Sequence, residues 1–77
     1  MKGENMNKEM LKRLCDMNNC AYSFGCLRAG SNGKTIQMTY ELFRSMFESW
    51  TVNNFDDTYK KWYVVEDGYE FFTLVEF

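Results

Sequence analysis

The chain has 77 residues, of which 45% are apolar, 18% aromatic and 26% charged. These proportions fit one folded α+β domain over residues 1–77 and exclude a disordered tail. No apolar run approaches the roughly 20 residues of a membrane-spanning helix. The start Met1-Lys2-Gly3-Glu4-Asn5 leads into no apolar segment of a secretory signal, and the chain has neither proline nor histidine.

The first predicted element is a helix over residues 5–18. Met6, Met10, Leu14 and Met17 recur at spacings of three and four, with Leu11 beside them. Asn5 or Asn7 suits the N-cap, and Asn18-Asn19 suits the end because asparagine tolerates left-handed geometry. Lys8, Lys12 and Arg13 lie off this stripe, on a face expected to be solvated. The stripe itself is expected to be core, although methionine also makes adaptable binding surfaces.

Residues 20–38 predict a hairpin about Asn32-Gly33, a pair suited to the two positive φ angles of a type I′ turn. That turn sets Ser31 against Lys34, Ala29 against Ile36 and Leu27 against Met38. Leu27, Ala29, Ile36 and Met38 then share one face, with Arg28 and Gln37 on the other. Gly25 is the expected site of a bulge.

A second helix is predicted over 39–51. Phe43, Met46, Phe47 and Trp50 follow the i, i+3, i+4, i+7 pattern, and Thr39 suits the N-cap. Asn53-Asn54 and Asp56-Asp57 read as a loop. Residues 58–77 predict a second hairpin about Asp67-Gly68. A two-residue turn pairs Val64 with Phe71, Trp62 with Thr73, Val65 with Glu70 and Tyr63 with Phe72. A three-residue loop would shift this by one and pair Val65 with Tyr69. In either register both faces carry bulky apolar residues, so some of Tyr59, Tyr63, Tyr69 and Phe72 should stay partly exposed unless a partner covers them. The expected fold is an αββαββ domain, a four-stranded antiparallel sheet with both helices packed on it. The strand running to Phe77 is expected to leave an open edge for another copy or a partner strand.

The net charge of −2 conceals a gradient. Residues 1–38 carry six Lys/Arg against three Asp/Glu, a balance of +3, and residues 39–77 carry three against eight, a balance of −5. Twelve of the fourteen aromatic residues lie in the second half. Phosphate contacts need cations, so an acidic, aromatic half points to a partner with a basic surface. The cysteines, Cys15, Cys20 and Cys26, are odd in number, unlike a paired disulfide framework. With no signal segment, a reducing cytoplasm is the expected compartment. Their C-x4-C-x5-C spacing is too long for a zinc hook and no histidine can complete a site, so they are expected to act as small buried apolar residues.

Gly33-Lys34-Thr35 matches the end of a Walker A loop. The pattern fails at Arg28, where its first glycine belongs, and the following residues alternate like a strand instead of opening a helix. Nucleophilic catalysis needs a base beside the nucleophile, and no spacing supplies one. The carboxylate pairs Asp56-Asp57 and Glu66-Asp67 fall in turns, where acids are common for local hydrogen bonding. The chain is therefore expected to be non-enzymatic and to need no cofactor.

The expected function is protein binding by a small acidic inhibitor or regulator. Inhibitors of this size and charge occur in phages and mobile elements, including proteins that block restriction or CRISPR nucleases; the likeness is one of size and composition alone. Asp56, Asp57, Glu66, Asp67 and Glu70 would meet Lys/Arg of the target, which could itself be a nucleic-acid-binding protein. Tyr59, Tyr63 and Tyr69 would anchor the contact. Two alternatives are a nucleic-acid-binding regulator using Lys8, Lys12, Arg13, Arg28 and Lys34, and a structural homo-oligomer built through the C-terminal strand.

Overall fold

The computed structural model describes residues 8–16, 26–30 and 34–77. Their elements run α1 (Lys8–Asp16), β1 (Cys26–Gly30), β2 (Thr35–Met38), α2 (Tyr40–Met46), β3 (Thr51–Asn54), β4 (Tyr59–Glu66) and β5 (Tyr69–Glu76). The strands form one five-stranded sheet in the order β1-β2-β5-β4-β3. Its neighbours are antiparallel except β2 and β5, which are parallel.

This topology overturns the expected αββαββ order and its four-stranded antiparallel sheet. The chain forms a mostly-sheet domain in which the Asn53-Asn54 segment, expected as loop, belongs to a fifth strand. Two asparagines in four residues give β3 little strand propensity of its own. It is held by pairing Thr51 with Tyr63 and Asn53 with Lys61 on β4. The expected open edge at the C-terminal strand is also corrected. β5 inserts between β2 and β4, and its Phe71 is fully buried. Bulky side chains on both of its faces suit a central strand and not an edge.

The second hairpin adopts the two-residue register, with Val64 facing Phe71 and Trp62 facing Thr73. Asp67 and Gly68 take φ of 57° and 83°, the two positive angles of a type I′ turn. In the first hairpin Ala29 faces Ile36 as expected, but Cys26, not Leu27, faces Met38. The bulge lies between Cys26 and Arg28, so it turns Leu27 outward to 40% exposure and sends Cys26 inward. The Asn32-Gly33 turn, Gly25 and Cys20 lie outside the described residues.

On α1 the buried face is Leu11 and Cys15, one turn apart, while Met10 is 44% exposed. Leu11 is buried as expected and Met10 departs from the expected stripe; Met6, Met17 and the side chain of Leu14 lie outside the described residues. Cys15 Sγ donates to the Thr35 carbonyl at 3.8 Å, tying α1 to β2. Thr39 caps α2, its Oγ1 accepting from Leu42 N at 3.2 Å. α2 is shorter than the expected 39–51. Phe47 turns extended at φ −124°, ψ 144°, which ends the helix at Met46.

Leu11, Cys15, Cys26, Ile36, Met38, Leu42, Phe43, Phe47 and Phe71 make one core. Both helices contribute to it, so both pack on the same side of the sheet. Trp50, just beyond the helix, meets Phe43 edge-on at 5.3 Å and stacks on Trp62 at 4.8 Å. Each buried aromatic contributes about 1.5–3 kcal/mol, enough for a few of them to decide the stability of a chain this small.

Candidate protein-binding surface

Successive strand residues point to opposite faces of a sheet. Phe71 and Trp62 belong to the helix-packed core, so Phe72, Leu74 and Glu70 on β5, and Tyr59, Lys61, Tyr63 and Val65 on β4, point to the other face. No described helix covers that face. The registers set its side chains in rows. Arg28, Gln37, Phe72, Tyr63 and Thr51 form one, and Leu74, Lys61 and Asn53 form the next. Tyr59 opposes Glu76 at one end, and Val65 opposes Glu70 toward the other.

Phe72, Leu74, Tyr63 and Tyr59 are each only partly buried, and Val65 is 64% exposed. Among them Lys61 Nζ meets Glu70 Oε2 at 2.6 Å and lies 4.9 Å from the Phe72 ring centre. Asn53 Nδ2 donates to the Tyr63 hydroxyl at 3.3 Å. The face is an aromatic strip with one neutralised charge pair set into it.

The eight residues singled out for partner binding do not form one site. Tyr59, Tyr63 and Glu70 lie on the helix-free face. Asp56 and Asp57 are exposed on the β3–β4 turn, beside the Tyr59–Glu76 end of that face. Asp56 Oδ1 accepts from the backbone of Thr58 and Tyr59, at 2.8 Å each, so it shapes the turn. Glu66 and Asp67 sit at the opposite end of β4, against α1, where Lys8 Nζ stands 3.2 Å from Glu66 Oε1 and Lys12 Nζ 2.7 Å from Asp67 Oδ2. Tyr69 points to the helix side and donates to Asp16 Oδ1 at 2.7 Å.

The basic residues separate as well. Lys12 was expected on a solvated face but is buried, between Asp67 and Glu9. Lys34 Nζ lies 3.4 Å from Asp16 and 4.8 Å from the Tyr69 ring centre. Arg13 is exposed on α1, and Arg28 lies on the helix-free side of the sheet. The five cations therefore make no continuous basic track.

These clasps set the local ionisation. The hydrogen bond to Asp67 holds the Lys12 ammonium above its ordinary range, and the same bond holds the Asp67 carboxyl below its own. Donation from Tyr69 lowers Asp16 and, reciprocally, raises Tyr69; the charge of the Tyr69 phenolate and then that of the Asp16 carboxylate raise Lys34. The acids of the 66–67 turn are thus neutralised within the fold. Glu41, Glu48, Asp56, Asp57 and Glu76 are in no ion pair among the described residues. Glu48, Asp56 and Asp57 flank β3. Glu76 escaped the sequence reading because only the pairing of β5 with β4 brings it beside Tyr59.

Comparison with protein-family models, with curated proteins and with solved structures finds no match to the chain. No described helix is long and apolar enough to cross a membrane.

Proposed function

We propose that this chain is a non-enzymatic, cytoplasmic protein-binding module, a small inhibitor or regulator that occupies a basic surface of its target, such as a nucleic-acid-binding groove. One observation carries the reading: the strip of Tyr59, Tyr63, Phe72 and Leu74 on the helix-free face runs to an end bordered by Asp56, Asp57 and Glu76, which are in no ion pair among the described residues. Partly exposed aromatics supply contact area, and the carboxylates beside them, Asp57 and Glu76 together with the Asp56 that also shapes the turn, steer and orient a cationic partner. Glu66, Asp67 and Tyr69 are assigned to the fold and not to the contact, because each is engaged with α1.

The test is an affinity pull-down from cytoplasm with and without nuclease, read by mass spectrometry. A stoichiometric basic protein that survives nuclease is the expected result. Recovery of nucleic acid, or loss of every partner on nuclease treatment, overturns it.

A further inference from the structure

The two edges of the sheet differ in how they are protected. β1 carries a bulge at Leu27 and a charge at Arg28, two devices that discourage edge pairing. β3, at the other edge, is Thr51-Val52-Asn53-Asn54, with no charge, no proline and no bulge, and all four residues are exposed. The two-residue turn makes Glu66 and Tyr69 a mutually hydrogen-bonded pair. Backbone groups alternate in direction along a strand, so Val65, Tyr63, Lys61 and Tyr59 direct theirs toward β3. The bond from Phe55 N to Tyr59 O at 3.0 Å obeys this alternation. Thr51 and Asn53 consequently point back at β4, while the N–H and C=O of Val52 and Asn54 point outward, unpaired by any described strand.

β3 also stops short of its neighbour. β4 continues through Val64, Val65 and Glu66 past the last pair, Thr51 with Tyr63. The step is a cleft of about 400 Å³ lined by Ser49, Trp50, Thr51, Tyr63, Val64 and Val65. It lies beyond the Thr51 end of β3, beside the continuing β4, and its wall is mixed: Trp50, Val64 and Val65 supply apolar surface, and Ser49, Thr51 and Tyr63 supply hydroxyls.

We infer that the β3 edge is a strand-addition site for an extended segment of a basic partner, which pairs with Val52 and Asn54, seats an aliphatic side chain in the Trp50–Val65 cleft, and brings Lys or Arg to Glu48 and Asp57. This inference rests on the protein-binding reading and specifies how the partner engages. Charge decides the occupant. The acids Glu48, Asp56 and Asp57 bracket an uncharged strand, which complements a β-forming segment with cations at its ends. A second copy fits poorly. An antiparallel β3–β3 pairing would bring Asp56 and Asp57 of each copy against the Glu48 end of the other, and like charges placed opposite one another are destabilising.

The probe is a nine-residue peptide of alternating Val and Thr with two Lys at each end, titrated into the full chain and followed by amide hydrogen exchange in NMR. Peptide binding should slow exchange at Val52 and Asn54 at least about tenfold, since both amides gain an acceptor. Val52→Pro removes an outward donor and no bond to β4, a substitution that edge strands tolerate. It should weaken binding about tenfold or more, as should N-methylation of alternate peptide residues, which leaves the protein unaltered. Binding that leaves both amides unprotected and survives Val52→Pro and N-methylation, yet is lost on Asp57→Lys, overturns strand addition while the basic-partner reading stands. No binding by the peptide also overturns strand addition, and the pull-down then decides the wider reading. Protection of β3 that rises with protein concentration in the absence of peptide overturns it in favour of a second copy.

Discussion

Lys12 Nζ lies 2.7 Å from Asp67 Oδ2, across 55 residues of sequence, and this contact joins the basic helix to the acidic hairpin turn. With Lys8–Glu66 beside it, the charge gradient between the two halves is cancelled where they meet. Of the acids in no ion pair among the described residues, Glu48, Asp56 and Asp57 flank β3, Glu76 ends β5 and Glu41 lies on α2.

The clasps predict a stability profile with two falling limbs. Asp67 and Asp16 are held below their reference value of 3.8, so their contribution is present above that value and is lost as pH falls through the lowered folded values. Lys12 and Lys34 are raised from 10.5 and Tyr69 from 10.0, so their contribution is present below about pH 10 and is lost as pH rises through the raised folded values. Urea midpoints should be level between about pH 5 and 9 and fall on both sides. Asp67→Asn should lower the midpoint at pH 7 and flatten the acid limb. An acid limb unchanged in the variant would show that the Lys12–Asp67 contact does not contribute.

Gly68 has φ +83° and open space where a Cβ would stand. Gly68→Ala should therefore destabilise the chain through backbone conformation alone, by about 1–2 kcal/mol in urea unfolding. A null effect would mean that the turn relaxes to another type, which NMR of the flanking Glu66–Tyr69 pair would detect.

The parts legible from sequence are those with local signals. The Asp67-Gly68 pair and the alternation on either side of it suffice for the β4–β5 register, and Thr39 announces α2 through its capping hydroxyl. The parallel pairing of β2 with β5 joins strands separated by α2, β3 and β4, and no local pattern encodes it. β3 was missed because its stability resides in β4. The shift from Leu27 to Cys26 hangs on a bulge between Cys26 and Arg28 that the alternation of Leu27, Ala29, Ile36 and Met38 does not reveal. For the candidate surface, the 55–70 segment is rich in interface residue types, but consecutive strand residues must face opposite ways. Tyr69 and Glu70 therefore part company, and the tertiary partners of Glu66 and Asp67 lie on a helix more than fifty residues away.

Thr39→Ala removes the hydroxyl that accepts from Leu42 N and should destabilise by about 1 kcal/mol, with Thr39→Ser restoring most of the loss. Equal destabilisation by both changes would point to lost methyl packing and not to the cap.

The two faces of the sheet should respond differently to truncation. Phe43 is fully buried, so Phe43→Ala should cost about 3–5 kcal/mol, enough to unfold a domain of this size at 25 °C by circular dichroism. Phe72, half-buried on the helix-free face, should lose only about 1–2 kcal/mol on Phe72→Ala and keep its fold. Unfolding by both changes would mean that the helix-free face is part of the stabilising core.

The central claim is that a basic protein engages the helix-free face and its acidic end. The most direct measurement compares recovery of the nuclease-resistant partner by wild type, Asp57→Lys, Val65→Lys and Arg13→Glu, all at exposed positions. The account predicts that Asp57→Lys and Val65→Lys each reduce recovery about tenfold or more while Arg13→Glu leaves it unchanged. Full recovery by the first two, with loss on Arg13→Glu, would contradict the account and move the contact to α1.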